Sequence, residues 1–254
     1  MKYVFITGAA SGIGLATAKR FAQEGWFVGL YDINESAIKN LLATAEFKSS
    51  CGCRCDVTDR SSIEAAIEHF CAVSAGKMDV LINNAGVLSG GRFSSIDHKF
   101  NDLMIDVNVK GFTHLAQLAF PYLQKTTNAI MVNMCSASCI QGVPLLGVYG
   151  ATKFYVDGLS QALNIEWAED DIRVTAVKPS FVSTAMLEGV PEQLMDLMGV
   201  DLTAEDIVDA IWTAVHSNKQ SIIIGYKVKL LALLTRFLPN KMNNKLMAYL
   251  CGFR

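Results

Sequence analysis

The 254-residue sequence has only five prolines and no Pro/Gly/Ser-rich stretch, so nothing in it marks an interdomain hinge. Charged residues make up 18% against 51% hydrophobic, a balance that excludes a disordered polymer. An excess of one sign is also missing. Lys and Arg number 22 and Asp and Glu 24, leaving −2 and no overall electrostatic footprint for nucleic acid. No apolar run reaches the roughly 18 residues that cross a bilayer; Leu230–Leu234 is only a short helix segment. The strand-like run 2–7 begins one residue after Met1, which leaves no room for a charged leader and a separate apolar core. A cytoplasmic protein is the expectation. The cysteines are seven, an odd number, and a chain of this length needs no covalent staples, so reduced thiols are expected. Cys51-Gly52-Cys53-Arg54-Cys55 lacks the second ligand pair and the histidines of a zinc site. Its alternation reads as one face of a strand, and no metal site is expected.

What is present is alternation. Strand-like runs at 2–7, 27–31, 51–55, 80–82, 129–134, 173–177 and 221–224 are separated by helix-period segments. Helices are expected over 14–23, 35–47, 61–73, 101–123 and 150–168, and Thr203 and Asp206 form a capping-box pattern before a later one. Strands alternating with helices predict an α/β fold, doubly wound, with a mostly parallel sheet covered by helices on both faces. No internal repeat or low-complexity stretch is visible, and one domain is favoured.

The first strand runs into Thr7-Gly8-Ala9-Ala10-Ser11-Gly12-Ile13-Gly14, which opens the first helix. Glycine there permits a tight turn, a close backbone approach to a pyrophosphate, and close helix–strand packing. The helix N-terminus adds free N–H groups and partial positive charge. A glycine turn alone also suits a plain strand–helix connection. Asp32 closes the second strand 18 residues after Gly14, near the offset of an acidic residue that accepts from an adenosine ribose. It would repel a 2′-phosphate, and no Lys or Arg lies in 8–15 to offset that. The cofactor expected is NAD rather than NADP. The alternative for Asp32 is a solvated strand end or a helix cap.

Tyr149 and Lys153 are four residues apart, on one helix face. Ser136 lies just past the strand 129–134, at the sheet edge where open α/β folds take ligands. Read in order, Thr7-Gly8, Gly12-Ile13-Gly14, Asn83-Asn84-Ala85-Gly86, Asn108, Ser136 and Tyr149 with Lys153 give a pattern that resembles the short-chain dehydrogenase/reductase family over roughly residues 2–225. The resemblance implies a Rossmann-type sheet of about seven strands, an alcohol–carbonyl oxidoreductase, and assembly as a homodimer or homotetramer. It implies catalytic roles for four residues. Tyr149 is the acid/base at the substrate oxygen. Lys153 ammonium and the cofactor's positive nicotinamide favour the phenolate, and Lys153 also binds the nicotinamide ribose. Ser136 donates to the substrate oxygen, and Asn108 holds a relay water.

Cofactor contacts implied in the same way are Gly8, Ser11, Gly12, Ile13 and Gly14 at the phosphates and Asp32 at the ribose. Asp56 and Val57 match the adenine pair, and Asn84, Ala85 and Gly86 the segment beside the adenine ribose. Pro179, Val182 and Thr184 match the nicotinamide turn, with Tyr149 and Lys153 facing the ring. The family usually has glycine where Ser180 stands. Serine fits there at negative φ and is strained at positive φ.

The segment after Thr184 corresponds to a lid in the family and carries Met186, Leu187, Val190, Leu194, Met195, Leu197 and Met198. With Cys139, Val143, Leu145 and Leu146 it suits an apolar alcohol or ketone, or packs the lid against the body. Residues 226–254 carry six Lys and Arg and no Asp or Glu, a charge of +6; the rest carries 16 and 24, a charge of −8. A catalytic domain of 1–225 with a C-terminal extension of 226–254 is the expected division. Leu230, Leu233, Leu234 and Phe237 form one stripe, and Met242, Leu246 and Tyr249 another after Pro239. Three readings fit these stripes: peripheral contact with an anionic membrane, packing on the acidic body, or pairing of subunits. Two further functions compete with the NAD enzyme: an NADP-dependent reductase and a non-catalytic dinucleotide-binding regulator.

Overall fold

The computed structural model describes residues 1–253 apart from the side chains of Gln193, Leu197 and Met198. Arg254 and the side chains of the expected lid residues Leu197 and Met198 therefore lie outside what is described. Seven strands are described: β1 Tyr3–Thr7, β2 Phe27–Asp32, β3 Ser50–Arg54, β4 Val80–Asn83, β5 Ala129–Met134, β6 Ile172–Pro179 and β7 Ser221–Ile224. All pair in parallel, in the order β3-β2-β1-β4-β5-β6-β7. The seven-stranded, doubly wound sheet matches the fold read from the sequence.

Period-2 alternation divides the core. Val4 and Ile6 of β1 face one layer with α1 (Gly12–Gln23) and its Phe21; Phe5 faces the other with α3 (Arg60–Val73) and its Phe70. Every residue of the interior strands β4 and β5 is buried. The chain order reverses at β1, which has β2 on one side and β4 on the other. A crevice opens at the carboxyl ends of the strands at such a point.

The expected helix over 35–47 stops earlier: α2 spans Glu35–Leu42, and a separate turn follows at Ala45–Phe47. The expected helix over 101–123 is really α4 (His98–Ile105), a π-helical stretch Asp106–Gly111, and α5 (Phe112–Leu123). The extra residue per turn rotates Asn108 inward, and a period count cannot anticipate a change of pitch. Helix α6 runs Gly147–Glu166. Helix α7 (Glu192–Met198), in the lid, has no counterpart in the sequence reading. Helix α8 (Ala204–Val215) begins with the expected capping box: Thr203 Oγ1 accepts from Asp206 N, and Asp206 Oδ2 accepts from Thr203 N at 2.8 Å.

The tail forms α9 (Tyr226–Phe237) and α10 (Asn240–Leu250). It meets the body through Leu231, Met247, Leu250, Cys251 and Phe253, and Val228 is buried as well. The stripe Leu230, Leu233, Leu234 and Phe237 and the pair Met242 and Tyr249 are instead exposed. The helix pair thus does pack on this chain's own body, but through residues other than those of the stripes, which leaves the stripes themselves facing outward. Spacing identified two amphipathic helices, but each carries apolar residues on two sides, and shape chose the side that packs.

Candidate functional site

The crevice is a cleft of about 570 Å³. Each expected site residue except Asn108 lines it: Gly8, Ser11, Gly12, Ile13, Gly14, Asp32, Asp56, Val57, Asn84, Ala85, Gly86, Ser136, Tyr149, Lys153, Pro179, Val182 and Thr184. They arrive from six strand ends and span 177 positions of sequence, from 8 to 184.

At one end, Gly8 has φ +66° and Gly12 φ +52°, conformations that side chains resist. Gly14 packs so closely on β1 that an added Cβ would lie 1.9 Å from the Gly8 carbonyl oxygen. The first turn of α1 carries no acidic residue, and Ser11 makes no side-chain cap. Its leading N–H groups therefore face the cleft with the positive helix end behind them, which fits a pyrophosphate. Asp32 holds the rim of the loop: Oδ2 accepts from Ala10 N at 3.0 Å and Oδ1 from Asn34 N at 2.9 Å. A carboxylate oxygen accepts more than one bond, so capacity remains for ribose hydroxyls. Arg54 stands beside Asp32 in the β2–β3 register, and its guanidinium meets Asp56 at 3.2 Å. Asp56 is also bonded to Thr58, whose hydroxyl and N–H donate to Oδ1 at 2.7 and 3.0 Å.

The Asn83–Gly86 segment is tied to the end of β1. Thr7 Oγ1 accepts from the N–H groups of Asn84 and Ala85, both at 3.1 Å, and Asn84 Nδ2 donates to Thr7 O at 2.9 Å. The dinucleotide cradle and this strand end are therefore one bonded unit.

At the other end are Ser136, Tyr149 and Lys153. Tyr149 and Lys153 share the inner face of α6, and both are buried. Burial pushes the Tyr149 phenol above its ordinary value, and a hydrogen bond with Ser136 works against that. Lys153 Nζ donates to Met134 O at 2.8 Å and lies 5.7 Å from the centre of the Tyr149 ring. Burial lowers the Lys153 pKa. From sequence, the Lys153 ammonium and the cofactor's positive nicotinamide together are expected to lower the phenol. Within the protein alone, burial of the phenol is the larger effect on it and the Ser136 hydrogen bond the smaller.

Asn108 stands one layer behind. From the π-helical stretch its Oδ1 accepts from Val87 N at 2.9 Å, and its Nδ2 donates to Val87 O at 2.8 Å and to Thr152 Oγ1 at 3.2 Å. Thr152 in turn donates to Tyr149 O at 2.7 Å. Thr152 was not singled out from sequence; its only signal is its place between Tyr149 and Lys153. A Cβ on Gly86 would lie 3.3 Å from Asn108 Oδ1 and 3.7 Å from Lys153 Nζ, so this glycine keeps the space before both polar groups open.

Ser180 carries no positive φ, so replacing glycine there introduces no backbone strain. Its hydroxyl faces Gly225, which takes the strained role with φ +101° at the start of the tail. Backbone ties the lid to the 86–91 loop, Gly90 N donating to Gly189 O at 2.7 Å, and the same loop to the segment before α6, Gly91 N donating to Leu145 O at 2.7 Å. Leu88, Phe181, Met186 and Leu187 make an apolar vestibule beside Tyr149. Leu88 and Phe181 were not named as pocket residues from sequence, since single apolar residues in loops have no signature.

Comparison with known proteins gives the site its context. Residues 2–195 match the family described as short chain dehydrogenase. A 3-oxoacyl-[acyl-carrier-protein] reductase of Thermotoga maritima is 38% identical over 197 residues, 76% of this chain and 78% of that protein. A crystal structure of a short-chain dehydrogenase/reductase from Burkholderia phymatum in complex with NAD superimposes with TM-score 0.83 and 25% identity, covering 92% of each chain. An actinorhodin polyketide ketoreductase structure with NADPH gives TM-score 0.78 and 26% identity, covering 88% of this chain and 95% of that one. Among the described residues no helix is long and apolar enough to cross a membrane. The chain belongs to the short-chain dehydrogenase/reductase family, NAD(P)-dependent oxidoreductases that interconvert alcohols and carbonyls.

Proposed function

We propose that the protein is an NAD(H)-dependent oxidoreductase that interconverts an apolar alcohol and its ketone or aldehyde. The observation that carries the cofactor choice is Asp32, a carboxylate at the ribose end of the cleft. The nearest guanidinium, Arg54, is engaged by Asp56. When bound, the nicotinamide supplies the hydride acceptor or donor.

The chain's own residues do the rest. Gly8 through Gly14 receive the pyrophosphate on backbone N–H groups, and Asp32 fixes the ribose. Asp56 and Val57 flank the adenine, and Asn84, Ala85 and Gly86 lie beside its ribose. Pro179, Val182 and Thr184 turn against the nicotinamide. Ser136 donates a hydrogen bond to the substrate oxygen and stabilises charge that develops there. Tyr149 takes the hydroxyl proton in oxidation and returns it in reduction. Lys153 holds the nicotinamide ribose, and Asn108 fixes the Val87 backbone and the start of a proton path to solvent.

Burial of the phenol favours its protonated form, which suits the reducing direction at neutral pH. Leu88, Phe181, Met186 and Leu187 support a bulky apolar substrate over a short polar one.

Assembly with copies of itself is part of the proposal. Exposed Phe154 and Tyr155 on α6 offer apolar surface for it, and light scattering would report the oligomer.

The test is a panel run in both directions with NADH and NAD. It should span short alcohols, sugars, acyl thioesters and bulky apolar alcohols. Turnover of bulky apolar members, lost in Tyr149→Phe, supports the reading. Undiminished turnover in Tyr149→Phe removes the assigned mechanism, and tight NADH binding with no turnover of any member favours a regulator.

A further inference from the structure

The two tail helices are apolar on opposite sides. Their inner side joins a cluster that contains Tyr149 and the lid residues Val190 and Leu194. A helix docked on a body needs one apolar face, and its other face is ordinarily polar. Here the outer side is apolar as well. At 100° per residue, Tyr226, Leu230, Leu233 and Phe237 fall within an arc of about 60°. All four are exposed, Phe237 by 76%. On α10, Met242 and Tyr249 share a stripe by the same count, and Tyr249 is 80% exposed. Asn243 braces the pair, donating to Thr235 O at 3.0 Å and Leu238 O at 3.2 Å. These aromatic and aliphatic side chains are therefore presented by a fixed scaffold.

Cations flank the stripes. Lys229 and Arg236 lie to one side of the α9 stripe, Lys241 and Lys245 to one side of the α10 stripe, and all four are exposed. Among the described cations of the tail, only Lys227 has an ion pair, with Asp201 at 3.0 Å. The tail holds no acidic residue. A tail-to-tail contact with a second copy would bring two such cationic sets together with nothing to neutralise them. A surface that is negative and apolar at once satisfies both features.

We propose that the outer face of α9 and α10 binds the surface of an anionic lipid bilayer. The helices lie in the plane of the interface, with the apolar stripes among the upper acyl segments and the flanking cations at the headgroups. Twelve residues of α9 are too few to span, so contact is peripheral. The proposal does not depend on which alcohol the enzyme turns over, because binding is measured without catalysis.

The test is co-sedimentation of the full chain with vesicles of phosphatidylcholine and phosphatidylglycerol, and with vesicles of phosphatidylcholine alone. Binding is expected only to the anionic vesicles and should weaken as salt rises. Each of Lys229→Gln, Lys241→Gln and Lys245→Gln should weaken it roughly fivefold. Leu233→Asp with Phe237→Asp should abolish it at unchanged melting temperature and oligomeric state, since both sites are exposed. Equal sedimentation with both vesicle types, or undiminished binding by the double variant, overturns the proposal. A wild-type oligomer that dissociates in the double variant also overturns it, by showing that the face joins copies of this chain.

Discussion

Replacing Asp32 by alanine should erase the preference between NADH and NADPH. The half-buried carboxylate ends β2 at the cleft wall. A 2′-phosphate carries close to two negative charges. At about 4 Å from Asp32, repulsion of a doubly charged group is about 2 kcal/mol at the dielectric of water and about 8 kcal/mol at an effective value of 20. The lower figure alone is a roughly thirtyfold preference for NADH. Loss of Asp32 also removes charge-assisted bonds to the ribose, at about 1.5–3 kcal/mol each, which weakens NADH only. The variant further strips acceptors from the N–H groups of Ala10 and Asn34. That loosening weakens both cofactors alike and cancels in their ratio. The assay is therefore a pair of fluorescence titrations, NADH and NADPH, for wild type and Asp32→Ala. The ratio of dissociation constants should fall by at least roughly thirtyfold. A ratio unmoved by the substitution, or a wild type that binds both equally, would refute the electrostatic argument.

The remaining predictions concern the catalytic end and the backbone that supports it. Followed by phenolate absorbance in cofactor-free protein, Tyr149 should ionise above the ordinary tyrosine range, so wild type and Tyr149→Phe should differ only beyond about pH 10. The folded phenol keeps a proton that the unfolded one has lost, so stability should fall as pH rises past about 10, and less so in Tyr149→Phe. Coincident alkaline melts of the two proteins would contradict this. Asn108→Leu removes three hydrogen bonds and leaves the Val87 N–H and C=O unpaired. A loss of about 2–4 kcal/mol in chemical denaturation is expected, together with loss of turnover. Gly14→Ala has no rotamer to escape with, because its Cβ meets backbone, and should prevent folding or cofactor binding. Gly25→Ala, at φ +78° but with nothing within 4 Å, should cost only about 1–2 kcal/mol. Equal melting temperatures for the two alanine variants would argue against close packing at Gly14.

The sequence proved legible where one backbone device fixes several residue types at once. The turn after β1 needs glycine at 8 and 12, where φ is positive, and at 14, where backbone leaves no room for a Cβ, and the proposed ribose acid stands at the end of the next strand. Tyr149 and Lys153 were readable as a pair because four residues on a helix share a face. Asn108 was readable only by resemblance, since the π-helical pitch that turns it inward leaves no periodic trace. Thr152, Leu88 and Phe181 left none either, being ordinary residues made relevant by neighbours distant in the chain.

Sequence by itself determined the alternation of strands and helices, the seven-stranded sheet, the glycine turn and the uneven charge, −8 in residues 1–225 and +6 in the tail. These are local or additive properties: periodicity, steric allowance and a count. Tertiary structure alone decided which effect governs the Tyr149 phenol, that Ser180 is unstrained, and which side of each tail helix is buried. Each of those depends on what fills the space around a side chain. Burial outweighs the Ser136 hydrogen bond at the Tyr149 phenol because the side chain is enclosed by its neighbours. Leu231 and Met247 pack inward because the lid cluster offers them a matching surface, and that leaves Leu233 and Phe237 facing outward.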